Sequence, residues 1–162
     1  MKKIKVLILR NFTVEPLLDE INEKLKKKNL IAEYLVSGYD SSINDLINKK
    51  SKFYDFKPDI ILFFFSIDTY FKNIVIKSNK KKINNKINED VMLILSELQK
   101  NFISEIGICN FYNSFEKKNI RLCQSLNQKI KIFCGKNSNF NRKKYLYYFI
   151  FCDLLLLNKF NL

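Results

Sequence analysis

Short apolar runs alternate with longer amphipathic stretches along this chain. Val6, Leu7, Ile8 and Leu9 are consecutive within residues 3–9, which predicts a strand buried on both faces. Residues 31–36 predict a second strand, ended by Ser37-Gly38. Residues 60–65 predict a third, apolar at six consecutive positions behind a Pro58-Asp59 stop. Between the first two, Val14, Leu17, Leu18, Ile21 and Leu25 recur at helical spacing. Thr13 is the expected N-cap of that helix, Glu15 suits its positive end, and Pro16 is tolerated in its first turn. Residues 41–48 predict a short helix through Ile43, Leu46 and Ile47. Glu89-Asp90 open another, with Val91, Ile94, Leu95, Leu98 and Phe102 as its stripe. Residues 103–109 then read as a fourth strand, and residues 121–131 as a helix through Cys123, Leu126 and Ile130.

Strands alternating with helices predict an α/β domain: three layers, α/β/α, around a mainly parallel sheet of about five strands. A length of 162 residues fits one such domain over 1–162. Two segments stand apart. Residues 72–88 carry six lysines, five asparagines and no acidic residue, and predict an exposed, low-complexity insertion. Residues 145–157 are nearly all apolar, with one carboxylate at Asp153. A membrane span needs about 20 apolar residues, so this run predicts a buried fifth strand leading into a helix, with peripheral membrane contact as the alternative.

Composition adds mainly exclusions. The net charge is +13, from 29 Lys+Arg against 16 Asp+Glu, yet only Arg10, Arg121 and Arg142 are arginines. Lysine, asparagine, isoleucine and phenylalanine make up half the chain, and Ala32 is the single alanine. That bias has the character of compositional drift, whereas proteins that grip phosphates and base edges favour the planar fork of arginine. Nucleic-acid binding through the lysines of the 72–88 segment is therefore the third-ranked reading. There is no histidine. Imidazole-dependent nucleophile activation and zinc sites with histidine ligands are thereby excluded within this chain. Cys109, Cys123, Cys134 and Cys152 show no C-x-x-C spacing, so buried reduced thiols in a cytoplasmic protein are expected, with no metal. The absence of a G-x-G-x-x-G or Walker loop gives no support for a nucleotide, and no cofactor is expected.

Three stretches carry a resemblance. They are Val6-Leu7-Ile8-Leu9-Arg10-Asn11-Phe12-Thr13-Val14-Glu15-Pro16-Leu17, then Tyr54-Asp55-Phe56-Lys57-Pro58-Asp59-Ile60-Ile61-Leu62, then Ser125-Leu126-Asn127. Together they resemble the N-terminal region of FkbH-like proteins, which precedes a haloacid-dehalogenase-type catalytic domain and is similar to an SGNH-hydrolase fold. The resemblance implies an SGNH/flavodoxin-like sheet and a role beside an acyl-carrier protein in polyketide or surface-polysaccharide biosynthesis. The catalytic Asp-x-Asp-x-Thr motif of the dehalogenase-type domain is absent here. The chain is thus expected to be an accessory half, truncated, split or stand-alone, that acts with a carrier protein or a separately encoded catalytic domain.

An SGNH hydrolase needs Gly-Asp-Ser after the first strand, and Arg10-Asn11-Phe12-Thr13 stands there instead. It also needs Asp-x-x-His, for which Asp153-Leu154-Leu155-Leu156 offers leucine in place of the base. Thr13 is the weak candidate for a nucleophile in the alternative reading, a degenerate esterase or acyltransferase. Ligands of open α/β sheets bind beyond the carboxyl ends of the strands. Arg10, Asn11, Thr13, Ser66, Asp68, Asn110 and Asn113 therefore form the expected rim. Arg10 and the first N–H groups of the helix are suited to a carboxylate or phosphate.

Overall fold

The computed structural model describes residues 1–39, 41–67, 69, 80–109, 120–137 and 145–148. Their elements are β1 (Lys2–Arg10), α1 (Glu15–Lys27), β2 (Leu30–Val36), α2 (Ser42–Ile47), α3 (Lys52–Phe56), β3 (Ile60–Phe64), α4 (Lys80–Asn101), β4 (Glu105–Cys109), α5 (Ile120–Asn137) and β5 (Tyr145–Tyr148). The strands form one sheet in the order β2-β1-β3-β4-β5, and every neighbouring pair is parallel. This is the α/β architecture expected from the alternating pattern. Its order reverses direction between β1 and β3, where doubly wound sheets open a crevice at their carboxyl ends.

The central strands are apolar at nearly every position because both their faces are covered. Leu7, Leu9, Ile61, Phe63, Ile106 and Ile108 point to one face, where they meet residues of α2, α3, α4 and α5. Ile4, Val6, Ile8, Ile60 and Phe64 point to the other, where they meet Val14, Ile21 and Leu25 at and along α1. At the amino ends of the strands, one residue fixes the register of three of them. The Asp59 carboxylate accepts the Lys5 backbone N–H at 2.8 Å. The Asp59 N–H donates to Lys5 O at 2.9 Å, and the Glu105 N–H donates to Asp59 O at 3.0 Å.

Several elements depart from the sequence pattern. The insertion expected over 72–88 is corrected in its second part: residues 80–88 are the first turns of α4, with Ile83 and Ile87 buried in the core. Those isoleucines continue the stripe of Val91, Ile94, Leu95 and Leu98 with helical period, so burial of one face outweighs the polarity of the other. Residues 72–79 lie outside the described residues. Helix α3 was not predicted; five residues are too few to show a period, and Phe53 anchors it in the core. Of the cysteines, Cys123 is buried in the core and forms no disulfide. Among the described residues, no helix is long and apolar enough to cross a membrane.

Candidate functional site

The carboxyl ends of β1 and β3 lie side by side, with Arg10 in register with Phe64. Two consecutive polar residues end β1 there, and both are buried, Arg10 to 8% exposure and Asn11 to 3%. Burial at this cost demands partners. The Arg10 backbone N–H donates to Ser37 Oγ at 3.0 Å, and its Nε donates to Ser37 O at 3.1 Å. Its Nη1 lies 2.7 Å from the Glu15 carboxylate, and its guanidinium stacks 4.3 Å from the centre of the Tyr39 ring. Ser37 Oγ in turn pairs with Ser42 Oγ at 2.9 Å, which ties the end of β2 to the start of α2.

Asn11 works in the other direction, across to β3. Its Oδ1 accepts the Ser66 N–H at 2.7 Å, and its Nδ2 donates to Ser66 O at 2.9 Å. The Asn11 N–H donates to Phe64 O at 3.3 Å. A carboxamide matches the backbone donor and acceptor of one residue at once, so Asn11 clamps together the two loops that flank the crevice.

The helix start differs from its expected form. Val14, not Thr13, is the N-cap residue of α1, and no side chain caps it in the usual way. The Glu15 carboxylate takes the Val14 N–H at 2.9 Å as well as Arg10. Thr13 is exposed, and its Oγ1 lies 3.1 Å from Tyr39 Oη. The arrangement bears directly on anion binding. The buried guanidinium and the first N–H of the helix, both expected to hold a ligand carboxylate or phosphate, already hold the chain's own carboxylate.

Of the expected rim, the structure brings together Arg10, Asn11, Thr13 and Ser66. Asp68, Asn110 and Asn113 lie outside the described residues. Sequence reasoning missed Ser37, Ser42, Tyr39 and the second role of Glu15. The meeting of Ser37 and Tyr39 with Arg10 follows from the parallel register, which places Ile8 beside Val36 and so brings Ser37 to the end of β1. Local spacing holds no trace of it.

As a nucleophile Thr13 has little support. Its hydrogen-bond partner is the phenol of Tyr39, and no imidazole exists in the chain. Among the described residues, no three His, Cys, Asp or Glu side chains are grouped to hold a metal ion.

The Glu15 pKa lies below its ordinary value of 4.5. The hydrogen bond from its own backbone N–H is the largest influence. Desolvation acts the other way, and Arg10 and the Val14 N–H add to the lowering. A depressed carboxylate contributes stability that is present above pH 4.5 and lost as pH falls through the folded value, because the unfolded chain takes up the proton first. Glu33 and Glu97 are shifted in the same direction. Glu15→Gln is therefore expected to flatten part of the acid limb of stability in thermal melts between about pH 3 and 6. A variant whose acid limb kept the wild-type slope would contradict the ion-paired geometry.

No protein-family model matches this chain, and no curated protein matches it in sequence. Solved structures do. One is the N-terminal part of a Bacteroides fragilis protein that contains a phosphatase domain and was determined with Mg: TM-score 0.69, 16% identity, 90% of this chain and 40% of that one. A second, described as an acylhydrolase from the same organism, aligns with TM-score 0.55 and 12% identity over 90% of this chain and 67% of that one. A third, a GDSL-like lipase from Bacteroides thetaiotaomicron, gives TM-score 0.54 and 12% identity over 89% and 68%. At such identities the shared property is the backbone arrangement: the chain has the α/β fold of GDSL/SGNH-like proteins and spans less than half of the phosphatase-containing structure it resembles.

Proposed function

We propose that this chain is a non-hydrolytic SGNH-like module that acts by binding, as the accessory part of an FkbH-like system of polyketide or surface-polysaccharide biosynthesis. The observation that carries the reading is the Asn11 clamp. The loop that presents the nucleophile in an SGNH hydrolase is here closed onto the backbone of Ser66 by both ends of one carboxamide. The lack of any histidine supports it, since the general base of that chemistry is missing. The partner in this reading is a dehalogenase-type catalytic domain or an acyl-carrier protein. The similarity to part of a longer, phosphatase-containing chain supports the first, and the excess of lysine suits the acidic surface of the second.

The test has two arms. Hydrolysis of p-nitrophenyl acetate by the folded protein is expected to stay at the rate of the heat-unfolded control and to be unchanged by Thr13→Ala. Turnover abolished by Thr13→Ala would establish the degenerate hydrolase instead. Co-purification with a separately expressed dehalogenase-type domain or carrier protein is the expected positive result. Failure of both partners to bind would leave the accessory role without support.

A further inference from the structure

All neighbouring strands are parallel, so their amino ends meet at one end of the sheet, opposite the crevice. The helices run back along the strands, and α1, α2 and α4 finish at that same end. Hydrogen bonds tie its loops into one surface. The Lys2 N–H donates to Asn29 O at 3.0 Å and joins the start of β1 to the end of α1. Lys49 Nζ reaches Asn101 Oδ1 and joins the loop after α2 to the end of α4. Ser104 Oγ donates to Pro58 O, which sets the loop of Ile103 against the loop of Lys57.

Two kinds of side chain stand out from this surface. Ile103 is 81% exposed, more than any other large apolar side chain among the described residues. Ile47, at the end of α2, is 52% exposed, and Ile31, at the start of β2, is 47% exposed. A lone exposed isoleucine is ordinary, but these three share one end of the sheet. From β2 to β4 is three strand spacings, roughly 14 Å, so Ile31 and Ile103 fall within the footprint of one ordinary protein contact. Around them Lys2, Lys26, Lys27, Lys50 and Lys57 are exposed. Among the described residues, none of these five lysines joins a salt bridge. The Glu33 and Glu97 carboxylates nearby are held by Lys3 and Lys100. The negative ends of the helices account for much of the lysine, but not for the isoleucines.

Charge and chemistry together select the occupant. A second copy would bring +13 against +13. Nucleic acid is gripped by arginine and stacked on aromatic rings, whereas the exposed apolar groups here are aliphatic. An anionic bilayer would press against Asp55 and Asp59, which are exposed among the lysines. A protein surface with carboxylates around an apolar centre matches both features, with the lysines at the rim of the contact and the isoleucines at its core. We propose that the amino-end face of the sheet, around Ile103, is the docking surface for a small acidic protein domain. The inference rests on the binding role proposed above, and it selects the acyl-carrier protein over the dehalogenase-type domain as the partner seated there. The crevice, closed by Asn11, takes no part in the contact.

Titration of the full chain with a purified, fluorescently labelled acyl-carrier protein at low salt tests it. Ile103→Ser is expected to weaken binding about tenfold, as the loss of an interface core residue does. Its exposure leaves the fold indifferent to the change. Lys57→Gly is expected to weaken binding about two- to five-fold. Its Tm is expected to hold or rise, because Lys57 has a left-handed backbone, φ 50° and ψ 66°, that glycine adopts without strain. Lys82→Gln, an exposed lysine at the opposite end of α4, is expected to leave binding unchanged. Binding indifferent to Ile103→Ser would overturn the proposal, as would equal losses from Lys57→Gly and Lys82→Gln, the mark of general attraction between opposite charges. So would tighter, Ile103-dependent association with phosphatidylserine vesicles, which would assign the face to a membrane surface. A carrier protein that does not bind overturns this inference alone if the dehalogenase-type domain binds, and the accessory role with it if neither does.

Discussion

Replacing Phe63 with alanine is expected to cost about 3–5 kcal/mol of stability and to lower Tm by roughly 10 °C or more. Phe63 is fully buried in the middle of the sheet, in register with Leu9 on one side and Ile108 on the other. Its ring stacks on Phe65, with centroids 4.4 Å apart and planes inclined by 14°. Truncation removes the transfer energy of a large side chain and leaves a cavity between strands that cannot close without disturbing both neighbours. Phe65→Ala removes the other ring at a position near the end of the strand, where relaxation is easier, and is expected to cost less. Denaturant melts at constant m-value measure the difference; equal losses at the two positions would contradict the placement of Phe63 as the central ring.

The second large effect is expected at Asn11. Asn11→Ala leaves the Ser66 N–H and C=O without their partners in a half-buried loop, for a loss of about 2–3 kcal/mol. Asn11→Asp keeps an acceptor for the Ser66 N–H but sets a carboxylate oxygen against the Ser66 carbonyl, and is expected to fall between wild type and alanine. The pair separates a structural clamp from a ligand-binding residue. A clamp shows itself as lost stability and faster exchange of the Ser66 amide in the absence of any ligand. An Asn11→Ala variant within about 0.5 kcal/mol of wild type, the range of ordinary surface changes, would mean that the carboxamide is free to serve a ligand instead.

The sheet was legible in the sequence because its strands are buried on both faces and leave unbroken apolar runs, as at Val6 to Leu9 and Ile60 to Phe64. Helix α1 was legible for the complementary reason: one face buries Ile21 and Leu25, and the other faces water. The start of α4 was obscured by lysine and asparagine, although Ile83 and Ile87 keep the helical period in plain view. There, composition masked a periodic signal that geometry enforces. The end of β1 was recognisable as a polar strand terminus, but not the state of its residues. Whether Arg10 is open to a ligand depends on Glu15, Ser37 and Tyr39, and two of these reach it only through the pairing of β1 with β2.

Asp59 sits at the opposite end of the sheet from the crevice, and it holds β1, β3 and β4 in mutual register through its carboxylate and both its backbone groups. Alignment of the central strands is therefore specified at a distance from the loops where chemistry takes place in hydrolases of this fold. Residues at the crevice can therefore be exchanged without the strands slipping past each other, because what aligns the strands lies at the other end of the sheet.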